Sequence, residues 1–198
     1  EVINSNTESK YIDMLYDSCV CTLNEAENVT PEIVIRACDK LYQKVMEGEF
    51  DSYILPVLQT ANITYERFLE LTKLFSKEEL EYKYTIELEG ILQPLKNVTI
   101  RKRYPLGILF HIAAGNVDGL PAYSVIEGLL SGNINILKLP SSDNGLSIRL
   151  LYELIQIEPK LKEFIYVFDV PSTDFTTIQK LASMADGIVV WGGDEAVK

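Results

Sequence analysis

Two polar side chains, Asn116 and Lys138, stand at or just beyond the ends of short apolar runs, residues 107–112 and 134–139. The segment between the runs, Leu120–Leu130, has the length and apolar spacing of a helix. This order predicts a strand, a crossover helix and a parallel strand. Ligands bind at the carboxyl ends of the strands in open α/β sheets, so an amide and an ammonium group are expected where a polar ligand would bind.

Several strand-to-helix turns are expected to meet at the same edge of the sheet. They are residues 113–118, 140–144, 170–173 and 192–195. The amino termini of the following helices would face this edge and attract anions such as pyrophosphate. Gly192 and Gly193 would let the backbone approach a phosphate, although a simple turn explains this pair equally well. Neither the G-x-G-x-x-G dinucleotide fingerprint nor a P-loop is present.

The second half of the chain alternates between strand and helix patterns. The predicted strands are residues 107–112, 134–139, 164–169 and 187–191, the predicted helices are 120–130, 145–157 and 173–185, and another helix is expected near Asp194. Short apolar runs with helical connections favour a mostly parallel sheet covered on both faces. The predicted fold is therefore an α/β, Rossmann-like sheet. A weaker strand pattern, residues 98–103, ends at Pro105.

The first half of the chain, to about Glu89, has helical patterns. Thr30 and Pro31 indicate a helix that begins there and ends near Gly48. A second helix is predicted over residues 65–75, and Ser76 is predicted to cap a third. We therefore divide the chain into a helical amino-terminal segment, residues 1–97, and a Rossmann-like nucleotide-binding domain, residues 98–198.

Composition excludes several classes of protein. A net charge of −11 argues against a nucleic-acid binder, which would show a basic surface. No apolar run reaches the roughly 18 residues of a membrane span, and no signal peptide is recognised at the start. Three cysteines and one histidine far from them do not suggest a zinc site. The odd number of cysteines is typical of reduced thiols, and a cytoplasmic location is expected. The missing initiator Met indicates a piece of a longer chain.

Several motifs together resemble a known family. They are Pro105-x-Gly107, Asn116, Gly132-Asn133, Lys138-Leu139-Pro140 with the two serines after it, and the run V-W-G-G-D-E at residues 190–195. Over residues 98–198 the chain resembles the cofactor domain of the aldehyde dehydrogenase superfamily, and most closely the LuxC-like acyl-CoA reductases. Those enzymes reduce long-chain acyl groups to aldehydes with a reduced nicotinamide cofactor.

The resemblance implies roles for five positions. Asn116 corresponds to the asparagine that stabilises the oxyanion, which requires a neutral donor aimed at the developing charge. Lys138 corresponds to the lysine that contacts the adenosine ribose. Ser141 stands where many relatives have a glutamate that binds the ribose hydroxyls, so NADPH is favoured and NAD is the alternative. Gly192 and Gly193 correspond to the turn beside the pyrophosphate.

The resemblance also implies an activity that this chain carries only in part. The chain is expected to be a fragment of an NADPH-dependent reductase. The whole enzyme would reduce acyl-CoA or acyl-protein thioesters to aldehydes through a thioester on a cysteine. The family's nucleophilic cysteine lies downstream of Lys198, and Cys19, Cys21 and Cys38 lie on the wrong side of the nucleotide domain. The isolated chain is therefore expected to be inactive.

Two other functions stay open at this point. One is a CoA-acylating aldehyde dehydrogenase for short acyl groups, and the other is a non-catalytic nucleotide-binding or interaction domain. The segment 98–103 is a candidate for pairing with a second subunit, in a homo-oligomer or a reductase complex.

Single residues also have alternative roles. Asn116 could be an ordinary turn residue, and Lys138 could be a charge on the protein surface. His111 is expected to be a hydrogen-bonded core residue, and Trp191 to pack at the sheet edge.

Overall fold

A computed structural model of the chain describes residues 2–3, 8–25, 29–89, 104–113 and 117–192. Within these residues five strands form one sheet in which all neighbouring strands are parallel. The strands are β1 (Val2–Ile3), β2 (Ile108–Ile112), β3 (Ile134–Lys138), β4 (Ile165–Phe168) and β5 (Gly187–Val190). Their order across the sheet is β1-β4-β3-β2-β5. The predicted α/β, Rossmann-like fold is confirmed.

Eight α-helices occur in the described residues. They are α1 (Glu8–Glu25), α2 (Pro31–Met46), α3 (Asp51–Ala61), α4 (Tyr65–Lys73), α5 (Lys77–Lys83), α6 (Leu120–Leu130), α7 (Leu146–Ile157) and α8 (Phe175–Ser183). A π-helical turn, Tyr84–Glu89, follows α5, and a 3-10 helix, Pro159–Phe164, leads into β4. The helical segment before the sheet is thus also confirmed.

The direction of the crossovers places helices on both faces of the sheet. The chain moves from β2 to β3 and on to β4 through α6 and α7, and α8 then carries it back past β2 to β5. Because parallel crossovers are right-handed, α6 and α7 cover one face and α8 covers the other. Helix α2 packs outside α6 and α7, whereas α1 packs with α8. The first half of the chain therefore adds an outer layer to the second.

The sequence patterns locate most elements closely. In the second half, every predicted boundary of a strand or helix up to residue 191 lies within two residues of the observed one. Thr30 and Ser76 cap α2 and α5 as predicted, because each hydroxyl accepts a hydrogen bond from a backbone N–H three residues on. The expected helix near Asp194, the strand at 98–103 and the division at 97/98 lie outside the described residues and stay predictions.

The prediction that the first 89 residues are helical is wrong at one point. Val2–Ile3 forms an edge strand parallel to β4, with Val2 opposite Val167 and Ile3 opposite Phe168. Two apolar residues are too few to show either a helical or a strand period, so a strand this short is set by its partner rather than by its own sequence.

Two glycine motifs of the resemblance, Gly107 and Gly132-Asn133, lie at the amino-terminal edge of the sheet. The Gly107 N–H donates to Asn133 Oδ1 at 3.0 Å, and the next N–H, of Ile108, donates to Asp186 Oδ2 at 2.8 Å. Gly107 has a φ of 125°, and a Cβ there would lie 3.0 Å from the Asp186 carboxyl carbon. Only glycine fits this approach. These motifs therefore fix the start of β2 between β3 and β5.

Helix α6 approaches the sheet closely at Gly128. A Cβ on this residue would overlap the Asn135 carboxamide oxygen, and it would lie 2.8 Å from Asn135 Cγ and 3.3 Å from His111 Nε2. Strands β2 and β3 are buried almost throughout, and the helix face above them is formed by buried residues such as Val125 and Leu129. The missing side chain of Gly128 therefore allows α6 to lie directly on β2 and β3.

We expect Gly128→Ala to destabilise the protein by about 2 kcal/mol or more, because the added methyl group must displace a buried carboxamide. Helix propensity alone predicts the opposite sign, a gain of roughly 0.5–1 kcal/mol. Urea unfolding of the variant measures the difference. The double variant Gly128→Ala/Asn135→Ala should lose less free energy than the sum of the two single variants. A Gly128→Ala protein more stable than the parent would contradict the packing described here.

Candidate functional site

The sheet order creates a crevice at the carboxyl ends of β2 and β5. From β2 the chain moves in one direction to β3 and later returns in the other direction to β5, so the crossovers diverge between these two strands. Such a switch point is where open α/β sheets bind ligands. The two strand ends are joined by a hydrogen bond of 3.0 Å from the Trp191 N–H to the Ile112 carbonyl.

Lys138 ends β3 and is buried, which rules out the alternative of a simple surface charge. Its Nζ donates to the Leu139 carbonyl at 3.2 Å and to Ser172 Oγ at 3.3 Å. Burial lowers the pKa of this ammonium group, and the nearby Asp169 carboxylate partly opposes the shift. An ammonium group donates up to three hydrogen bonds, so Lys138 retains capacity for one more acceptor beyond its partners in the described residues.

The other predicted site residues are distributed along the same edge. Ser141 lies exposed in the turn after β3, and Gly192 lies exposed just after Trp191 at the end of β5. Since β2 separates β3 from β5, the two strands that lead to these residues are about 10 Å apart across the sheet. Asn116 and Gly193 lie outside the described residues, so their roles stay predictions.

The amino termini of α7 and α8 are both occupied by carboxylates of the chain, which weakens the expected attraction of anions at these two helices. Both Asp143 carboxylate oxygens accept from the Ser147 N–H, at 3.3 and 3.2 Å, and Asp174 Oδ1 accepts from the Thr177 N–H at 3.1 Å. These hydrogen bonds lower the pKa of Asp174, whereas burial raises the pKa of Asp143. The chain's own carboxylates therefore occupy both helix termini, and a phosphate would be repelled there.

A buried chain of hydrogen bonds leads from the switch point into the core. The Trp191 indole Nε1 donates to Ser124 Oγ at 2.8 Å, and Ser124 Oγ lies 2.7 Å from His111 Nδ1. His111 Nε2 lies 3.0 Å from Asn135 Oδ1. Because an amide oxygen only accepts, Nε2 carries the proton, so Nδ1 accepts from the Ser124 hydroxyl. The prediction that His111 is a hydrogen-bonded core residue is confirmed.

The chain of hydrogen bonds ends on backbone groups. The Asn135 amide nitrogen donates to the Asn133 carbonyl at 2.8 Å and to the Phe164 carbonyl at 3.3 Å. Sequence reasoning did not select Ser124 or Asn135. Both are polar residues inside otherwise apolar runs, A-Y-S-V-I and N-I-N-I-L, and that is the signal that points to buried partners.

The cysteines of α1 and α2 are poor nucleophiles. Burial, with a smaller contribution from Glu163, raises the pKa of Cys19 to about 12, and burial also raises the pKa of Cys38. Both thiols are therefore protonated at neutral pH, whereas the thiolate is the reactive form. The third cysteine, Cys21, is exposed on α1. The described residues contain no cluster of three or more His, Cys, Asp or Glu side chains suited to a metal ion.

Comparison with known proteins gives the family. The family described as acyl-CoA reductase (LuxC) matches residues 27–198. The chain belongs to the LuxC family of acyl-CoA reductases. It is 32% identical over 100 residues to a long-chain acyl-protein thioester reductase of Aliivibrio fischeri, and 30% identical over 99 residues to one of Vibrio harveyi. These matches cover 49% and 48% of this chain.

The matched segment spans only about a fifth of each relative, 21% of its length. The family match confirms the resemblance to LuxC-like reductases that the sequence motifs indicated. No solved structure gives a significant match to the chain. Among the described helices, none combines the length and the apolar character that crossing a bilayer requires.

Because His111 is the sole histidine, its contribution to the pH dependence of folding can be isolated. Burial lowers the pKa of His111 below its usual value of about 6.5. The unfolded chain therefore takes up a proton before the folded one does. We expect the free energy of unfolding to fall below about pH 6.5, by at most about 1.4 kcal/mol per pH unit, until the folded pKa is reached.

Urea unfolding at a series of pH values, followed by tryptophan fluorescence, measures this effect. Carboxylates also titrate toward acid pH, so the wild-type curve is compared with that of His111→Gln, which retains a donor toward Asn135. The two curves should diverge as pH rises from 5 to 7, with the wild type gaining the additional stability. Parallel curves would show that protonation of His111 costs the folded state nothing.

Proposed function

We propose that this chain is the cofactor-binding part of an NADPH-dependent reductase of long-chain acyl thioesters. The LuxC family match supports the reaction class, and the buried ammonium of Lys138 at the carboxyl edge of a Rossmann-like sheet carries the cofactor assignment. The names of the relatives support an acyl-protein thioester as the substrate, with acyl-CoA as the alternative carrier.

The capped termini of α7 and α8 favour one orientation of the cofactor. Asp143 and Asp174 occupy the termini of α7 and α8, which disfavours a pyrophosphate beside either helix. On the opposite side of the switch point, Gly192 follows β5 and brings no side chain to the turn. We therefore assign the pyrophosphate to the glycine turn and the adenosine ribose to Lys138 and Ser141.

The charges around β3 bear on the choice between NADPH and NADH. Ser141 brings no negative charge to the turn, so a ribose 2′-phosphate meets no carboxylate at this position. The Lys138 ammonium is a suitable partner for that phosphate. Asp169 and Asp143 are the competing charges, but Asp169 is exposed and therefore screened by solvent, and the Asp143 carboxylate accepts from the Ser147 N–H. These observations support NADPH, with NAD as the alternative cofactor.

An apolar cavity beside the turn of Asn116 supports an acyl substrate. Its volume is about 60 Å³, and its walls come from α4, α6, α7 and the residues that lead into α6. Phe68, Leu71, Phe75 and Leu150 contribute to the lining, and Val117 begins it immediately after the position of Asn116. A cavity of this kind has room for a few methylene groups, and the residue that follows Asn116 in the sequence contributes to its lining.

The proposed chemistry is divided between this chain and a nucleophile beyond it. A cysteine thiolate downstream of Lys198 would attack the acyl thioester and expel the carrier thiol. The Asn116 side-chain amide would donate a hydrogen bond to the oxyanion. The reduced nicotinamide, when bound, supplies the hydride that yields the aldehyde. We place this activity in the cytoplasm, in a homo-oligomer or a complex with other reductase components.

We expect Ser141→Glu to weaken NADPH binding at least about tenfold, because a carboxylate would face the 2′-phosphate, and to leave NADH binding unchanged or improved. Titration of the purified chain with each nucleotide, followed by calorimetry, measures both affinities. Ser183→Glu is the matched control, since it adds the same charge at an exposed position near the end of α8, at the opposite edge of the sheet. Equal NADPH affinity in the two variants would place the 2′-phosphate elsewhere.

Acyl preference tests the substrate assignment. In the protein that includes the nucleophile, we expect thioester-dependent oxidation of NADPH with a clear preference for long over short acyl chains, since apolar contacts add with each buried methylene. Initial rates with a series of saturated acyl thioesters measure this preference. A preference for short chains would favour a short-chain CoA-acylating dehydrogenase. Nucleotide binding without any thioester reduction would favour a non-catalytic nucleotide-binding domain.

A further inference from the structure

Trp191 is fixed from two directions at the switch point. It is the only tryptophan in the chain, and it is partly exposed between the end of β5 and Gly192. Its backbone N–H bonds to the carbonyl of Ile112 in β2, and its indole N–H bonds to Ser124 in α6. One residue thus joins three elements at the edge where we assign the nucleotide.

The partners of the indole have no freedom to move away. Ser124 and His111 are each 1% exposed, and Asn135 is fully buried. Every donor in the series runs in one direction, from the indole through Ser124 and His111 to Asn135. If the indole turned away, it would leave Ser124 with an unfilled acceptor in the core, and an unmet buried hydrogen bond costs about 1–3 kcal/mol.

Packing alone does not explain this arrangement. A phenylalanine or leucine at position 191 would also cover apolar surface at the end of β5, and it would need no polar group beneath it. The chain instead buries a serine, a histidine and an asparagine under the indole. Gly107, Asn133 and Asp186 hold only the amino-terminal edge, whereas the series under the indole runs from backbone groups at that edge to Trp191 at the carboxyl edge.

We propose that Ser124 and His111 are positioning residues that hold the Trp191 indole as a fixed wall of the switch-point crevice. By fixing Trp191, they also fix the path of the chain into the Gly192 turn before the nucleotide binds. A turn that is ordered in advance loses less conformational entropy on binding, which raises affinity. The expected effect on nucleotide affinity rests on the proposed function. The hydrogen bond that holds the indole can be tested without any nucleotide.

Ser124→Ala removes the acceptor of the indole and leaves the ring in place. We expect stronger quenching of Trp191 fluorescence by acrylamide, and a loss of about five- to tenfold in NADPH affinity, measured by calorimetry. The matched control is Ser131→Ala, which removes a serine hydroxyl that bonds to the Glu127 carbonyl at the other end of α6. This control should change neither quenching nor affinity.

A second variant distinguishes positioning from a general loss of stability. Trp191→Phe keeps a ring but has no N–H, so it should weaken NADPH binding about as much as Ser124→Ala does. The double variant should be no weaker than either single variant, because both remove the same hydrogen bond. Additive losses, or affinities equal to that of the wild type, would overturn the inference.

The outcome also separates this inference from the proposed function. If the wild-type chain binds no nicotinamide nucleotide, the proposed function fails, and the quenching measurements alone decide the inference. Unchanged quenching in Ser124→Ala would then overturn it, and increased quenching would support it. If the wild type binds NADPH and Ser124→Ala shows wild-type quenching and affinity, only the inference fails.

Discussion

The contact of α6 with β2 and β3 is the constraint on which the rest of the structure depends. Gly128 lets the helix approach until the space above the sheet is filled by Asn135 and His111. At that distance a polar side chain in the interior has no room for water and must find a protein partner. The hydrogen bonds between helix and strands are therefore a consequence of the close approach. Helices α7 and α2 pack against α6, so the position of α6 determines where they lie.

The two edges of the sheet have different tasks. At the amino-terminal edge, the Asn133 and Asp186 side chains join the starts of three strands by accepting from the backbone N–H groups of Gly107 and Ile108. At the carboxyl edge, the buried Lys138 and the exposed Ser141 and Gly192 stand near a switch point. The motifs that first suggested a family are thus split, since Gly107 and Gly132-Asn133 lie where the strands begin, and Lys138 and Gly192 lie at the carboxyl edge.

Much of this arrangement could be predicted because the signals are local. Strand and helix boundaries follow from apolar periods and capping residues, which act within a few positions of the chain. The hydrogen bond of the buried Lys138 to Ser172 could not be predicted, because Ser172 comes 34 residues later in the chain. The capping of α7 and α8 by Asp143 and Asp174 has a local signal, an aspartate before each helix, but its effect on phosphate binding emerges only from the sheet topology. The Trp191–Ser124 bond joins residues 67 positions apart.

The series of hydrogen bonds under Trp191 also limits which single substitutions the chain can accept at these positions. The four side chains at positions 111, 124, 135 and 191 are linked by three hydrogen bonds, and Gly128 provides the space for Asn135 and His111. A change at one of them leaves an orphaned donor or acceptor, or a gap, that a change at another can repair. These five positions are therefore physically coupled, and the effect of a substitution at one of them depends on the residues at the others.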